Sequence, residues 1–89
     1  MKVTPLLKLK EVAASTEVNF EGNLIIEGDV KSGAKTHATE DILIKGTVES
    51  AQINTDGNIV LQKDFNWYRD ATIRAKKNVF GPNFELIEI

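Results

Sequence analysis

Eighty-nine residues make one small domain, and a chain of that length buries only about two-thirds of its unfolded surface, so it needs very regular packing or association. A net charge of −2 with both signs interspersed leaves no basic stripe, which removes the electrostatic basis for nucleic-acid binding. With no cysteine, disulfides and thiolate metal sites are excluded, and the apolar runs are far too short for a membrane span.

From the front, Met1 to Leu7 has no apolar core of signal-peptide length, so a cytoplasmic location is expected. Thr4-Pro5 can open a capping helix, with Thr4 as N-cap and Pro5 at the first helical position. Leu7, Leu9 and Glu11 alternate as a strand would, so helix and strand both stay open. Residues 1–16 are assigned to an N-terminal cap or extension. The repeat is expected to begin near Glu17.

From Asn23 onward the chain says nearly the same thing three times. Asn23-Leu24-Ile25-Ile26, Asp41-Ile42-Leu43-Ile44 and Asn58-Ile59-Val60-Leu61 recur at intervals of 18 and 17 residues, and Asn78-Val79-Phe80 is a weaker echo 20 further on. A second register, Ala34-Lys35-Thr36-His37-Ala38, Ala51-Gln52-Ile53-Asn54-Thr55 and Ala71-Thr72-Ile73-Arg74-Ala75, travels with it. A fixed period of this size marks a coil that must stack on its neighbours to bury its apolar face. The predicted fold is an all-β, single-stranded parallel β-helix over residues 17–80, with three to four coils of 17–20 residues. Three short strands per coil and a triangular section are expected.

Alternation sorts each run. Leu24, Ile26, Val30, Thr36 and Ala38 face inward, and the equivalents in the next coils are Ile42, Ile44, Val48, Ile53, Thr55, then Ile59, Leu61, Ile73, Ala75. Polar residues such as Glu27, Lys35, His37, Lys45, Asn54 and Arg74 face outward. Ile25, Leu43 and Val60 break the rule, being outward yet apolar in all three coils. Such an exposed aliphatic row is a candidate interface. Asn23, Asp41, Asn58 and Asn78 share one corner and either bond their own backbone or form a side-chain ladder.

Nine residues separate Leu61 from Ala71, against six between Ile44 and Ala51. The insertion contains Phe65, Trp67 and Tyr68, either a bulged corner packed on the coil edge or a partner-binding knob, since Trp, Tyr and Arg dominate interface hot spots. Gly81-Pro82 then ends the rhythm. Phe84 and Leu86 lie in a terminal segment, residues 81–89, that either caps the last coil or pairs with another chain.

The run Val18-Asn19-Phe20-Glu21-Gly22-Asn23-Leu24-Ile25-Ile26-Glu27-Gly28-Asp29-Val30, then Asp41-Ile42-Leu43-Ile44-Lys45-Gly46-Thr47-Val48-Glu49-Ser50-Ala51 and Gly57-Asn58-Ile59, resembles the central β-helix of the flagellar assembly protein A family. More distantly the chain looks like the bactofilins, cytoskeletal proteins whose β-helices join end to end. The resemblance implies a right-handed parallel β-helix without a known catalytic centre. It also implies a role in flagellar placement and assembly. It carries over no binding residue, because the matching motif is structural, and the family's glycine-rich coil after Gly57-Asn58-Ile59 is replaced here by the aromatic insertion.

Leu24, Val30, Thr36, Ile42 and Val48 are also spaced by six, the hexapeptide period of acyltransferases built on left-handed β-helices. Those enzymes use a histidine as general base, but His37, the only histidine, has no evident orienting partner. The pairs Glu27/Asp29 and Glu40/Asp41 lack the Gly/Asp repeat of calcium-binding rolls and read as solvated carboxylates. The expected function is therefore a non-enzymatic assembly module with no cofactor and no metal. It is expected to form a homo-oligomer or scaffold other proteins, with a binding adaptor using the aromatic insertion as the alternative and a small acyltransferase the third reading.

Overall fold

The computed structural model describes residues 5–62 and 71–81. Within them the chain forms nine short strands: β1 (Leu6–Leu9), β2 (Glu17–Phe20), β3 (Asn23–Ile26), β4 (Lys35–Ala38), β5 (Ile42–Ile44), β6 (Gln52–Thr55), β7 (Ile59–Leu61), β8 (Thr72–Ala75) and β9 (Val79–Phe80). All pairings are parallel. Odd-numbered strands stack as a five-stranded sheet and even-numbered ones as a four-stranded sheet. Each winding therefore gives one strand to each sheet, which is the stacked β-solenoid that the repeat predicts.

Register follows the repeat without slip. Leu24, Ile42 and Ile59 stand over one another, as do Ile26, Ile44 and Leu61. In the other sheet the column is Val18, Thr36, Ile53 and Ile73. A one-residue slip would turn every such column to water, so burial itself fixes the register. Leu24, Ile26, Ile42, Ile44, Ile53, Ile59 and Leu61 are all sealed from solvent in one continuous core. Each contributes about 1.5–3 kcal/mol by leaving water.

The third side is thinner than expected. Among the described residues it has no strand, only single bridges joining Val12, Val30 and Val48, all buried. Val30 and Val48 each follow a glycine by two residues, Gly28 and Gly46, where the chain turns off the five-stranded sheet. At Gly46 a side chain is impossible without rearrangement, because a Cβ would run into the Gly28 carbonyl and the Asp29 carboxylate.

The start also differs from expectation. β1 pairs in register with β3, Leu7 over Leu24 and Leu9 over Ile26, and Val12 joins the valine bridges. Among the described residues the stacking thus starts at Leu6 rather than near Glu17, and residues 6–12 form two sides of a first winding that β2 completes. The strand alternation of Leu7 and Leu9 prevails over the helix-start signal of Thr4-Pro5, because only a strand meets the open edge of β3. Of the terminal segment 81–89, all but Gly81 lies outside the described residues.

Two corners explain the rest. At the first, Asp41 N–H donates to Asn23 Oδ1 (3.0 Å), Asn58 N–H to Asp41 Oδ1 (2.8 Å) and Asn78 Nδ2 to Asn58 Oδ1 (3.3 Å). Of the two expected arrangements, the side-chain ladder is the one present, and it occupies backbone amides that the turn leaves open. At the second, Thr16 N–H closes on Ala13 O (3.3 Å) and Ala34 N–H on Lys31 O (3.2 Å). Ser15 and Gly33 hold the third position of these turns at φ 58° and 79°, as a type II turn requires. Between Val48 and Ala51 that residue is missing, which is why one interval is 18 and the next 17.

Candidate functional site

In the five-stranded sheet the side chains between the buried columns point out. They form one row, Lys8, Ile25, Leu43, Val60 and Phe80, each in register with the next. Strands lie about 4.8 Å apart, so the apolar members touch along the stack. Ile25, Leu43 and Val60 are half-buried, and Phe80 is 52% exposed. Their exposure is not needed for folding, since the inward columns are already closed.

Polar residues flank the row on both sides. One flank is the ladder Asn23, Asp41, Asn58 and Asn78, preceded by Leu6 opposite Asn23; Leu6 is 58% exposed. The other is Lys10, Glu27, Lys45 and Gln62. Its positions are fixed by Glu27 N–H on Leu9 O (2.8 Å), Lys45 N–H on Ile26 O (2.9 Å) and Gln62 N–H on Ile44 O (3.1 Å). Lys10, Glu27 and Lys45 alternate in sign along this flank, and Gln62 is neutral.

The four-stranded sheet presents a different exterior. Its outward columns are Glu17, Lys35, Gln52, Thr72 and Asn19, His37, Asn54, Arg74, without an aliphatic side chain. A cleft of about 560 Å³ lies over His37, Asn54, Asp56, Arg74 and Lys76. His37 Nε2 stands 3.9 Å from Asp56 Oδ1, too far for a hydrogen bond, while the same carboxylate oxygen is 3.3 Å from Lys76 Nζ. Asp56 is thus engaged more closely by the lysine than by the imidazole that a general base would need oriented.

Of the remaining acidic candidates, Asp29 and Asp41 have structural partners. Asp29 Oδ1 accepts the Thr47 N–H at 2.7 Å. That bond holds its carboxyl below the ordinary value against the opposing effect of burial, and Lys31 adds to it. Lys31 Nζ lies 3.7 Å from Asp29 and 3.5 Å from Glu49, and these carboxylates, Glu49 first, raise its pKa. Among the described residues no three carboxylate or imidazole groups converge to hold a metal ion. No described helix is long and apolar enough to cross a membrane.

The structure therefore brings Ile25, Leu43 and Val60 together as a single surface. Phe65, Trp67, Tyr68, Phe84 and Leu86 lie outside the described residues. Lys8 and Phe80 are members of the row that sequence reasoning missed. For Phe80 the signal was present, because it follows Asn78 by two residues as Val60 follows Asn58.

The Flagellar Assembly Protein A beta solenoid domain matches residues 5–89. That match begins at Pro5, so it includes the first winding formed by β1, Val12 and β2. No curated protein and no solved structure matches the chain.

Proposed function

We propose, for a chain that belongs to the flagellar assembly protein A β-solenoid family, a non-enzymatic assembly module that acts by contact, through self-association or by scaffolding other proteins. The observation that carries this reading is the outward row Ile25, Leu43, Val60 and Phe80. An aliphatic column in water gains about 25 cal/mol for each Å² it loses to a partner, and the fold has no use for it. The four-stranded sheet shows what this same scaffold carries where nothing apolar is required. By its family description, the setting of such contacts is the assembly of flagella.

Light scattering across a wide concentration range tests the reading. The parent chain is expected to associate as concentration rises. Leu43→Lys, which places a charge in the middle of the row, is expected to weaken association at least about tenfold, equivalent to about 1.4 kcal/mol, with the β-rich circular dichroism spectrum retained. Association undiminished by Leu43→Lys would move the contact to another surface, and a strict monomer at every concentration would remove self-association altogether.

A further inference from the structure

We infer that the five-stranded sheets of two copies pack face to face in antiparallel order, the second winding of one copy over the third winding of the other. This inference rests on the assembly reading above and adds the occupant and its geometry. A stripe of aliphatics between polar flanks could accept many surfaces. What selects a second copy is that the flanks complement themselves.

A two-fold axis lying in the contact plane along the strand direction reverses the stacking order and sets each flank against its own equivalent. Placed between the second and third windings, it sets Glu27 against Lys45 of the second copy and Lys45 against Glu27 of that copy. On the opposite flank it sets Asn23 against Asp41, an amide donor against a carboxylate acceptor. In the middle, Ile25 meets Leu43, and Lys8 lays its aliphatic stem on Val60. No like charges face each other. Moving the axis onto the third winding would put Lys45 on Lys45 and Asp41 on Asp41. A two-fold along the winding axis would instead put Lys8 on Lys8. Such a contact is isologous and closes on itself, so it yields a dimer and not a fibre.

Area sets the strength. The four strands that overlap in this arrangement, β1, β3, β5 and β7 of each copy, span about 14 Å along the stack and four residues about 13 Å across it. That is well below the roughly 800 Å² per partner of a standard stable interface, so the dimer is expected only at high concentration and is best trapped.

Because the chain has no cysteine, single thiols report proximity cleanly. Lys10→Cys and Gln62→Cys chains, whose positions lie three windings apart so that only the unlike pair faces, are mixed with a short bismaleimide matched to the ~10 Å between packed sheets, and each is also treated alone. The mixture is expected to give at least about tenfold more cross-linked dimer than either variant by itself. The pair Leu6→Cys with Asn58→Cys, also three windings apart, gives a second readout on the opposite flank should the first pair fold poorly. Equal cross-linking of the variants alone, or capture of Lys45→Cys by Asp41→Cys, overturns the geometry. So does the absence of any cross-link while light scattering still finds oligomers, a result that leaves the assembly reading standing. A chain that is monomeric by both methods removes both.

Discussion

Along the five-stranded sheet the central column facing water reads Lys8, Ile25, Leu43, Val60 and Phe80. The matching column of the four-stranded sheet reads Asn19, His37, Asn54 and Arg74. Inside, the two sheets face one core and follow one rule, with aliphatics or small residues at every second position. Folding demands agreement only on the inside. The outside is free to vary, so an aliphatic column there reports a contact made after folding.

The inner equivalence is the part most open to destruction. Ile44→Ala in β5 and Ile53→Ala in β6 remove side chains that are both fully buried, and each is expected to cost about 2–5 kcal/mol. Urea unfolding measures both. A much smaller loss for Ile53→Ala would mean that the four-stranded side does not share the core on equal terms.

The four-stranded sheet also buries two threonines with opposite circumstances. The Thr55 hydroxyl lies on the carbonyl oxygens of Ala38 (2.9 Å) and Glu40 and accepts the Gly57 N–H (3.2 Å). Thr36 Oγ1 is buried and, among the described residues, has no hydrogen-bond partner. Thr55→Val is expected to cost about 1–3 kcal/mol, because it strips partners from buried groups, and Thr36→Val to be neutral or stabilising by about 1 kcal/mol. The thermal melt should fall for Thr55→Val and hold level or rise for Thr36→Val.

A pH effect belongs to the other side, where Asp29 bonds Thr47. Its carboxyl is held below the ordinary 3.8, so its contribution is full above that value and is lost as pH falls through the lower folded one. Asp29→Asn removes the titration, and its stability is expected to fall less steeply than that of the parent chain below pH 3.8. An identical acid limb in both proteins would assign acid loss to other carboxylates.

The smallest effects on folding are expected outside. Leu43→Lys and Asn54→Lys should each leave stability within about 0.5 kcal/mol of the parent. Only Leu43→Lys should alter association. Equal behaviour of the two in light scattering would erase the distinction between the sheets.

Much of the fold was legible because parallel stacking writes itself into sequence as a period. Leu24, Ile42 and Ile59 stand one winding apart in the chain and one strand apart in space, so spacing and alternation alone predict the columns. The aliphatic row was legible for the same reason, as an exception repeated at Ile25, Leu43 and Val60. The first winding was obscured by Thr4-Pro5, whose local preference for a helix start competes with a pairing edge that sequence does not display. The third side was overread because one buried valine per turn looks like a strand until its neighbours are seen to bend away. The approach of His37 to Asp56 joins residues 19 apart across adjacent windings, a diagonal that the repeat does not mark.

The turn that carries Ser15 and Gly33 has a wider consequence. Dropping its left-handed residue shortens one winding while every strand on either side keeps its partner. In the sequence, the longest spacer between consecutive described strands separates β7 from β8. Length variation falls between an odd-numbered strand and the even-numbered one that follows, before the valine bridge in the first winding and at the Ser15 and Gly33 turn in a later one, a stretch where new segments can be spliced in without disturbing either ladder.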